Sequence, residues 1–380
     1  MQMVDEEDTK LIPYEDLKKV NAPYFEALSE GSKSVIEKGT YVLGEAVEKF
    51  ESEFSALHGG YHCIGVASGL DALVLGLMSL DFPRGSKVMV GSNVYIASIL
   101  SIIRADLIPV LVEPDPRTYN LTVEGLKKRY DTHCVAIVPV HLYGRLNPMP
   151  EIVEFAKERS LKIIEDCAQS HFAEIGGIRS GMFGDVGAFS FYPTKNLGAL
   201  GDAGAIICKD FALYNKLKAL RNYGSEKKYY NKFVGWNSRL DEIQAAFLSV
   251  KLPDFQKVID HKRRLAEIYF EELKRINSLT LPAPAGKNHV WHIFNILLKD
   301  RDRIKSNLAE LGIQTEIHYP VAPNLQEGYR SVLGGDFPIA EKIHAETLSL
   351  PLSTCHTEAD IREVCRILRQ LLGRYERRYF

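Results

Sequence analysis

Lys195 sits among residues that do little to solvate or neutralise it. The stretch Asp185-Val-Gly-Ala-Phe-Ser-Phe-Tyr-Pro-Thr-Lys-Asn-Leu-Gly-Ala-Leu-Gly-Asp-Ala-Gly204 is mostly glycine, small and apolar residues, aromatics and hydroxyls, its other charges being Asp185 and Asp202 towards its ends. Burying an ammonium costs several kcal/mol unless its proton affinity falls or it is paired. A lysine in such surroundings is suited to attack a carbonyl and form a Schiff base. Ser190 lies five residues before it. A hydroxyl there can bind a phosphate while the lysine reaches an aldehyde.

Three more features could serve the same chemistry. In Val66-Ala-Ser-Gly-Leu-Asp-Ala-Leu73 a strand ends, Gly69 turns the chain and a helix begins. That junction presents free amides and the positive helix end to an anion, although many such junctions are purely structural. In Ile164-Glu-Asp-Cys-Ala-Gln-Ser170, Asp166 falls at the carboxyl end of an apolar strand. It could hold a pyridinium nitrogen or simply cap the next helix. Tyr95, in Asn93-Val-Tyr, could stack on a flat ring or fill core. A phosphate seat, a ring-nitrogen carboxylate, a stacking ring and a Schiff-base lysine together fit pyridoxal 5′-phosphate (PLP).

The elements that must position these groups follow from periodicity. Residues 10–60 carry apolar residues at helical spacing. From 62 onward, short runs apolar on both faces alternate with amphipathic stretches. The runs are residues 62–67, 87–91, 108–112, 134–140 and 161–166. This predicts a mostly parallel sheet covered on both sides. Residues 186–191 and 204–208 predict two further strands joined by the Lys195 loop. After Leu240 a helical pattern runs to about Ile276, interrupted near Pro253. Strands at 291–298 and 315–319, a helix at 301–311 and a last helix at 358–379 complete the chain. The expected division is a large α/β domain over residues 1–250 and a smaller α+β domain over 251–380.

Composition narrows the class. The 380 residues carry a net charge of −2, which argues against nucleic-acid binding or a polybasic membrane patch. Cys63, Cys134, Cys167, Cys208, Cys355 and Cys365 are scattered without a CxxC pair, so neither a zinc site nor a disulfide framework is indicated. Reduced thiols in a cytoplasmic protein are expected. Met1–Asp8 is acidic and lacks an apolar signal core, and no apolar run is long enough to span a bilayer. The histidines show no HExxH-type spacing, and no metal is expected.

Four segments resemble one family. They are Ser68-Gly-Leu-Asp-Ala-Leu, Glu165-Asp-Cys-Ala-Gln, the run from Gly184 through Lys195 to Leu197, and Gly235-Trp-Asn-Ser-Arg-Leu-Asp-Glu-Ile-Gln-Ala-Ala. In this order they are similar to the DegT/DnrJ/EryC1/StrS sugar aminotransferases, over about residues 20–370. The resemblance implies an aspartate aminotransferase-like (PLP fold type I) large domain. It also implies roles: Lys195 on the cofactor aldehyde, Asp166 at the pyridine nitrogen and Gln169 near the 3′-oxygen. Ser190 with the amides of Gly69 and Leu70 would hold the phosphate, and Tyr95 would stack on the ring. Asn237 would reach the phosphate from a partner subunit, implying a homodimer with shared sites. Leu70 replaces a threonine common in the family, so the phosphate should rely more on backbone amides.

The Ser68–Leu73 form, with Asn93-Val-Tyr-Ile-Ala-Ser98, resembles the branch that aminates C3 of nucleotide-linked 3-keto-6-deoxyhexoses. It implies a dTDP-linked acceptor and L-glutamate as donor. His318 and Tyr319 are candidates for a substrate wall, or for packing at the domain junction. A C4 aminotransferase acting on a UDP- or dTDP-4-keto sugar, or a cyclitol aminotransferase, is the alternative.

Overall fold

A computed structural model describes residues 11–379, with side chains to residue 373. The acidic stretch Met1–Asp8 lies outside the described residues. In chain order the strands are β1 His62–Val66, β2 Lys87–Gly91, β3 Ile108–Val112, β4 Cys134–Val138, β5 Lys162–Asp166, β6 Glu174–Ile175, β7 Ile178–Arg179, β8 Val186–Ser190, β9 Gly204–Cys208, β10 Ser225–Lys227, β11 Tyr230–Asn231, β12 Leu279–Thr280, β13 Phe294–Leu298 and β14 Thr347–Leu350.

Seven of them form the central sheet, in the order β1-β9-β8-β5-β4-β2-β3. The β8-β5-β4-β2-β3 pairs are parallel, and β9 runs against both β8 and β1. Strand residues alternate between two cores. Ile64, Val66, Val186, Ala188, Ile206 and Cys208 face one, packed against the helix Gly69–Ser79. Cys63, Phe189, Ala205 and Ile207 face the other, with Phe50, Phe54 and Leu240. Burial on both faces explains why these strands are apolar throughout.

Because six of the seven strands point one way, their carboxyl ends share one edge of the sheet. That edge collects the Ser68–Gly69 turn after β1, Asn93–Tyr95 after β2, Asp166–Gln169 at the end of β5 and Ser190–Lys195 after β8. Open α/β sheets bind ligands along this edge.

The second, smaller unit is the antiparallel sheet β12-β13-β14. It packs its core with helices Phe255–Leu273, Arg301–Glu310 and Glu358–Tyr379. The chain start joins this unit: Ile12 bridges Ile313, and its amide donates to the Gly312 carbonyl at 2.8 Å. Pro253 does interrupt the long helical pattern, as a 3₁₀ turn between helices Glu242–Lys251 and Phe255–Leu273. The expected strand over residues 315–319 is reduced to a single bridge, Glu316 to Ser349, because the backbone bends at His318, whose ring binds the Ser349 hydroxyl at 2.9 Å. Among the described residues no helix is long and apolar enough to cross a membrane.

Candidate active site

The turn after β1 is built to bring a helix start against β8. Gly69 begins the helix Gly69–Ser79, and a Cβ there would lie 2.6 Å from Ser190 Cβ. Only glycine permits this approach. Gly204 on β9 likewise packs its α-carbon on the Ser68 carbonyl. The Ser68 side chain accepts from the Asp71 amide at 3.1 Å, and its carbonyl accepts from the Ala72 amide at 3.0 Å. No protein acceptor meets the amides of Gly69 and Leu70 among the described residues, and the Ser190 hydroxyl stands beside them. Two free N–H groups at a positive helix end, with an adjacent hydroxyl, form an anion seat. Ser238 braces it from behind: its hydroxyl donates to Asp71 at 2.7 Å and accepts from the Ala67 amide at 3.0 Å. Next to it, Asn237 is exposed and pairs with Asn222.

Asp166 and Glu165 end β5 on opposite faces. Glu165 is fully buried and serves the fold. Its carboxylate accepts from the amides of Gly181, Phe183 and Gly184 at 3.0, 2.7 and 2.7 Å, and from His141 Nε2 at 3.0 Å. His141, Glu165 and Cys167 bring their ligand atoms within 4.8 Å of one another. These carboxylate and imidazole atoms are already engaged in protein hydrogen bonds, since His141 Nδ1 also accepts from the Asn147 amide at 3.2 Å. Asp166 faces the ligand edge. It accepts from the Ser98 hydroxyl at 2.6 Å and from the Ala168 amide at 3.1 Å. Ser98, buried on helix Ile96–Arg104, carried no assigned role in the sequence.

Lys195 is set into the floor of this edge. The loop around it is compact: its amide donates to Tyr192 O at 2.8 Å, and the Ala199 amide to Phe191 O at 2.8 Å. No acceptor meets Lys195 Nζ among the described residues. Burial lowers its proton affinity from the usual lysine range to about 8, and the Asp166 charge opposes that fall. His171 lies behind the loop, its Nε2–H donating to the Ser190 carbonyl at 2.9 Å. Burial, then the Lys195 charge, pushes the His171 ring down to about 3, so it stays neutral.

Gln169 and Tyr319 join the two units. Gln169 Oε1 accepts from the Tyr143 amide at 2.5 Å, and its Nε2 donates to the Tyr319 hydroxyl at 3.1 Å. The Tyr143 hydroxyl donates to the His318 carbonyl. The Tyr95 and Tyr319 rings lie 4.9 Å apart, tilted by 31°. Tyr95 is half exposed, so one of its faces remains open. Burial, followed by the charges of Lys195 and Lys305, lowers the His318 ring to about 4. The structure therefore gathers Gly69, Leu70, Ser190, Lys195, Asp166, Gln169 and Tyr95 along one edge, with His318 and Tyr319 facing them. Asn237 lies on the surface beside it.

The model of the DegT/DnrJ/EryC1/StrS aminotransferase family matches residues 26–369. The chain belongs to this family. It is 45% identical, over 93% of its length and 98% of the relative's, to the dTDP-3-amino-3,6-dideoxy-alpha-D-galactopyranose transaminase of Aneurinibacillus thermoaerophilus. It is 37% identical, over 95% and 98%, to the UDP-N-acetyl-3-dehydro-alpha-D-glucosamine 3-aminotransferase of Acidithiobacillus ferrooxidans. Its fold matches that of S. venezuelae DesV, solved in complex with a ketimine intermediate, with a TM-score of 0.92 at 37% identity, covering 96% of this chain and 99% of that one.

This family member is a PLP-dependent aminotransferase with the aspartate aminotransferase-like fold. The residues present suit the cofactor. The free amides of Gly69 and Leu70 with the Ser190 hydroxyl could take its phosphate. The fixed carboxylate of Asp166 could take its ring nitrogen. Lys195 offers an amine whose neutral form is accessible near physiological pH.

Proposed function

We propose that the enzyme moves the amino group of L-glutamate to the C3 carbonyl of a dTDP-linked 3-keto-6-deoxyhexose, giving a dTDP-3-amino-3,6-dideoxyhexose. The observation that carries this reading is the 45% identity, spanning 98% of the relative, to a dTDP-3-amino-3,6-dideoxy-galactopyranose transaminase. The second relative is also named for amination at position 3, on a UDP-linked sugar. The test is a panel of dTDP- and UDP-linked 3-keto and 4-keto sugars with glutamate, the amine located by NMR. A 3-amino product from the dTDP-linked 3-keto sugar is expected; preferential amination of a 4-keto sugar would refute the regiochemistry.

When bound, PLP supplies a carbonyl for the incoming amine and an electron sink for the charge left at its carbon. The protein groups then divide the work. The amides of Gly69 and Leu70 and the Ser190 hydroxyl would hold the phosphate, joined by Asn237 of a second subunit. Asp166, oriented by the Ser98 hydroxyl, would pair with the ring nitrogen. Gln169 would lie near the 3′-oxygen, and the open face of Tyr95 would stack on the ring.

Lys195 Nζ is the proton carrier. Its amine would take the proton from the donor's α-carbon as a general base, and the resulting ammonium would return it as a general acid. A base whose proton affinity lies near working pH suits both directions. The same lysine serves glutamate and then the keto sugar, so turnover follows ping-pong kinetics. His318 and Tyr319 form the wall that meets the sugar.

A homodimer with shared sites follows from the role given to Asn237. The exposed Val234 and Trp236 beside it supply apolar area for that contact. We place the boundary between the large and small domains at about residue 250, and the enzyme in the cytoplasm, where its six free cysteines would stay reduced.

A further inference from the structure

We propose that Lys262 is a positioning residue for Lys195, holding the Lys195 loop through the side-chain amide of Asn196. The inference rests on the reading of Lys195 as the reacting amine. Lys262 lies on helix Phe255–Leu273, on the face that buries Ile259, Leu265 and Ala266, and is 4% exposed. A lysine on a core-facing stripe is costly unless its ammonium has a specific task. Its Nζ donates to Asn196 Oδ1 at 2.7 Å and to the His292 carbonyl at 3.2 Å. Asn196 Nδ2 in turn donates to the Val290 carbonyl at 3.1 Å. The amide next to Lys195 is thus held at both ends, by a helix and by the segment before β13. Neither anchor lies in the large sheet.

The ammonium does a second thing that a neutral donor would not. Lys262 faces Glu15, His292, Cys355, His356 and Lys195; Lys195 faces Asp166, His171, His292 and His318 as well as Lys262. Glu15 lies on the chain start and accepts from the Ser353 hydroxyl at 3.1 Å. Burial lowers both amines to about 8; at Lys262 the Glu15 charge opposes that fall and the Lys195 charge adds a smaller downward push. Removing one charge makes the other easier to protonate.

The experiment compares wild type with Lys262→Met and Lys262→Arg as full-length enzyme carrying the cofactor in its pyridoxamine form, which leaves the Lys195 amine free. The rate of reductive methylation of Lys195 is followed by peptide mass spectrometry across pH, beside a thermal melt. Lys262→Met should shift the midpoint of Lys195 reactivity upward, and Lys262→Arg should bring it back towards wild type. A folded Lys262→Met protein with the wild-type midpoint overturns the proposal. Should Lys262→Met not fold, Asn196→Asp gives the ammonium a carboxylate partner and should move the midpoint in the same direction; an unmoved midpoint is equally fatal. Borohydride trapping on the aldehyde form separates the two readings. Cofactor fixed to another lysine defeats the assignment of Lys195, whereas cofactor fixed to Lys195 with unmoved midpoints defeats the role of Lys262 alone.

Discussion

The Ser98 hydroxyl donates to Asp166 Oδ2 at 2.6 Å inside the protein, across two elements that are 68 residues apart in sequence. A hydrogen bond to a buried carboxylate contributes about 1.5–3 kcal/mol. It fixes the orientation of the carboxylate. Ser98→Ala should therefore lower kcat/KM by about tenfold or more, the rate equivalent of losing such a bond. Steady-state kinetics with glutamate and the keto sugar checks this; unchanged kinetics would separate Asp166 from the chemistry.

Gly69→Ala tests the phosphate seat. The added Cβ would meet Ser190 Cβ at 2.6 Å, and neither the helix start nor β8 can move without disturbing the sheet. Such overpacking costs about 1–3 kcal/mol. The expected result is cofactor affinity reduced by about tenfold or more, read by titrating cofactor-stripped protein. Affinity equal to wild type would place the phosphate elsewhere.

Tyr319→Phe removes the acceptor of Gln169 Nε2 and leaves that amide unpaired at the junction of the two units. An unsatisfied buried donor costs about 1–3 kcal/mol. Turnover should fall while the Tyr95–Tyr319 ring contact is retained, because phenylalanine keeps the ring. Wild-type turnover in this variant would show that Gln169 is held well enough by the Tyr143 amide alone.

Much of the site was legible because its parts sit at fixed places on short stretches of chain. Gly69, Asp166, Ser190 and Lys195 each follow or end an apolar strand, and parallel strands bring such points to one edge. Ser98 was not legible. A serine on an apolar helix gives no local sign of the carboxylate it faces, and the pairing depends on how that helix packs over β5. Lys262 was hidden in the same way within a run of charged residues, His261-Lys-Arg-Arg264, that reads as a solvated face. In the smaller unit, β12 spans only two residues and β14 four, too short for alternation to show. Thr315–Tyr319 has the composition of a strand, but after Ile317 the His318 ring turns to Ser349 and the Tyr319 hydroxyl to Gln169.

Lys251 gives a prediction for stability against pH. Its ammonium is buried against the Gly198 carbonyl at 2.6 Å, and burial lowers its proton affinity from 10.5 to about 8. The unfolded chain then binds more protons than the folded one between those values, so folding is favoured as pH rises from about 8 towards 10.5. The stability lost as pH falls back through 8 is on the order of 3 kcal/mol at most. Chemical denaturation of wild type and Lys251→Met across this range checks the sign. The difference between the two curves should grow in favour of wild type with rising pH; parallel curves would contradict it.

The most direct test of the account is where the cofactor is attached. The enzyme loaded with PLP is reduced with borohydride, digested and mapped by mass spectrometry. The account predicts a reduced pyridoxyl adduct on Lys195, and a Lys195→Ala protein that still binds cofactor through the Gly69 seat but carries no adduct and does not turn over. An adduct on another lysine, or transamination by Lys195→Ala, would contradict it.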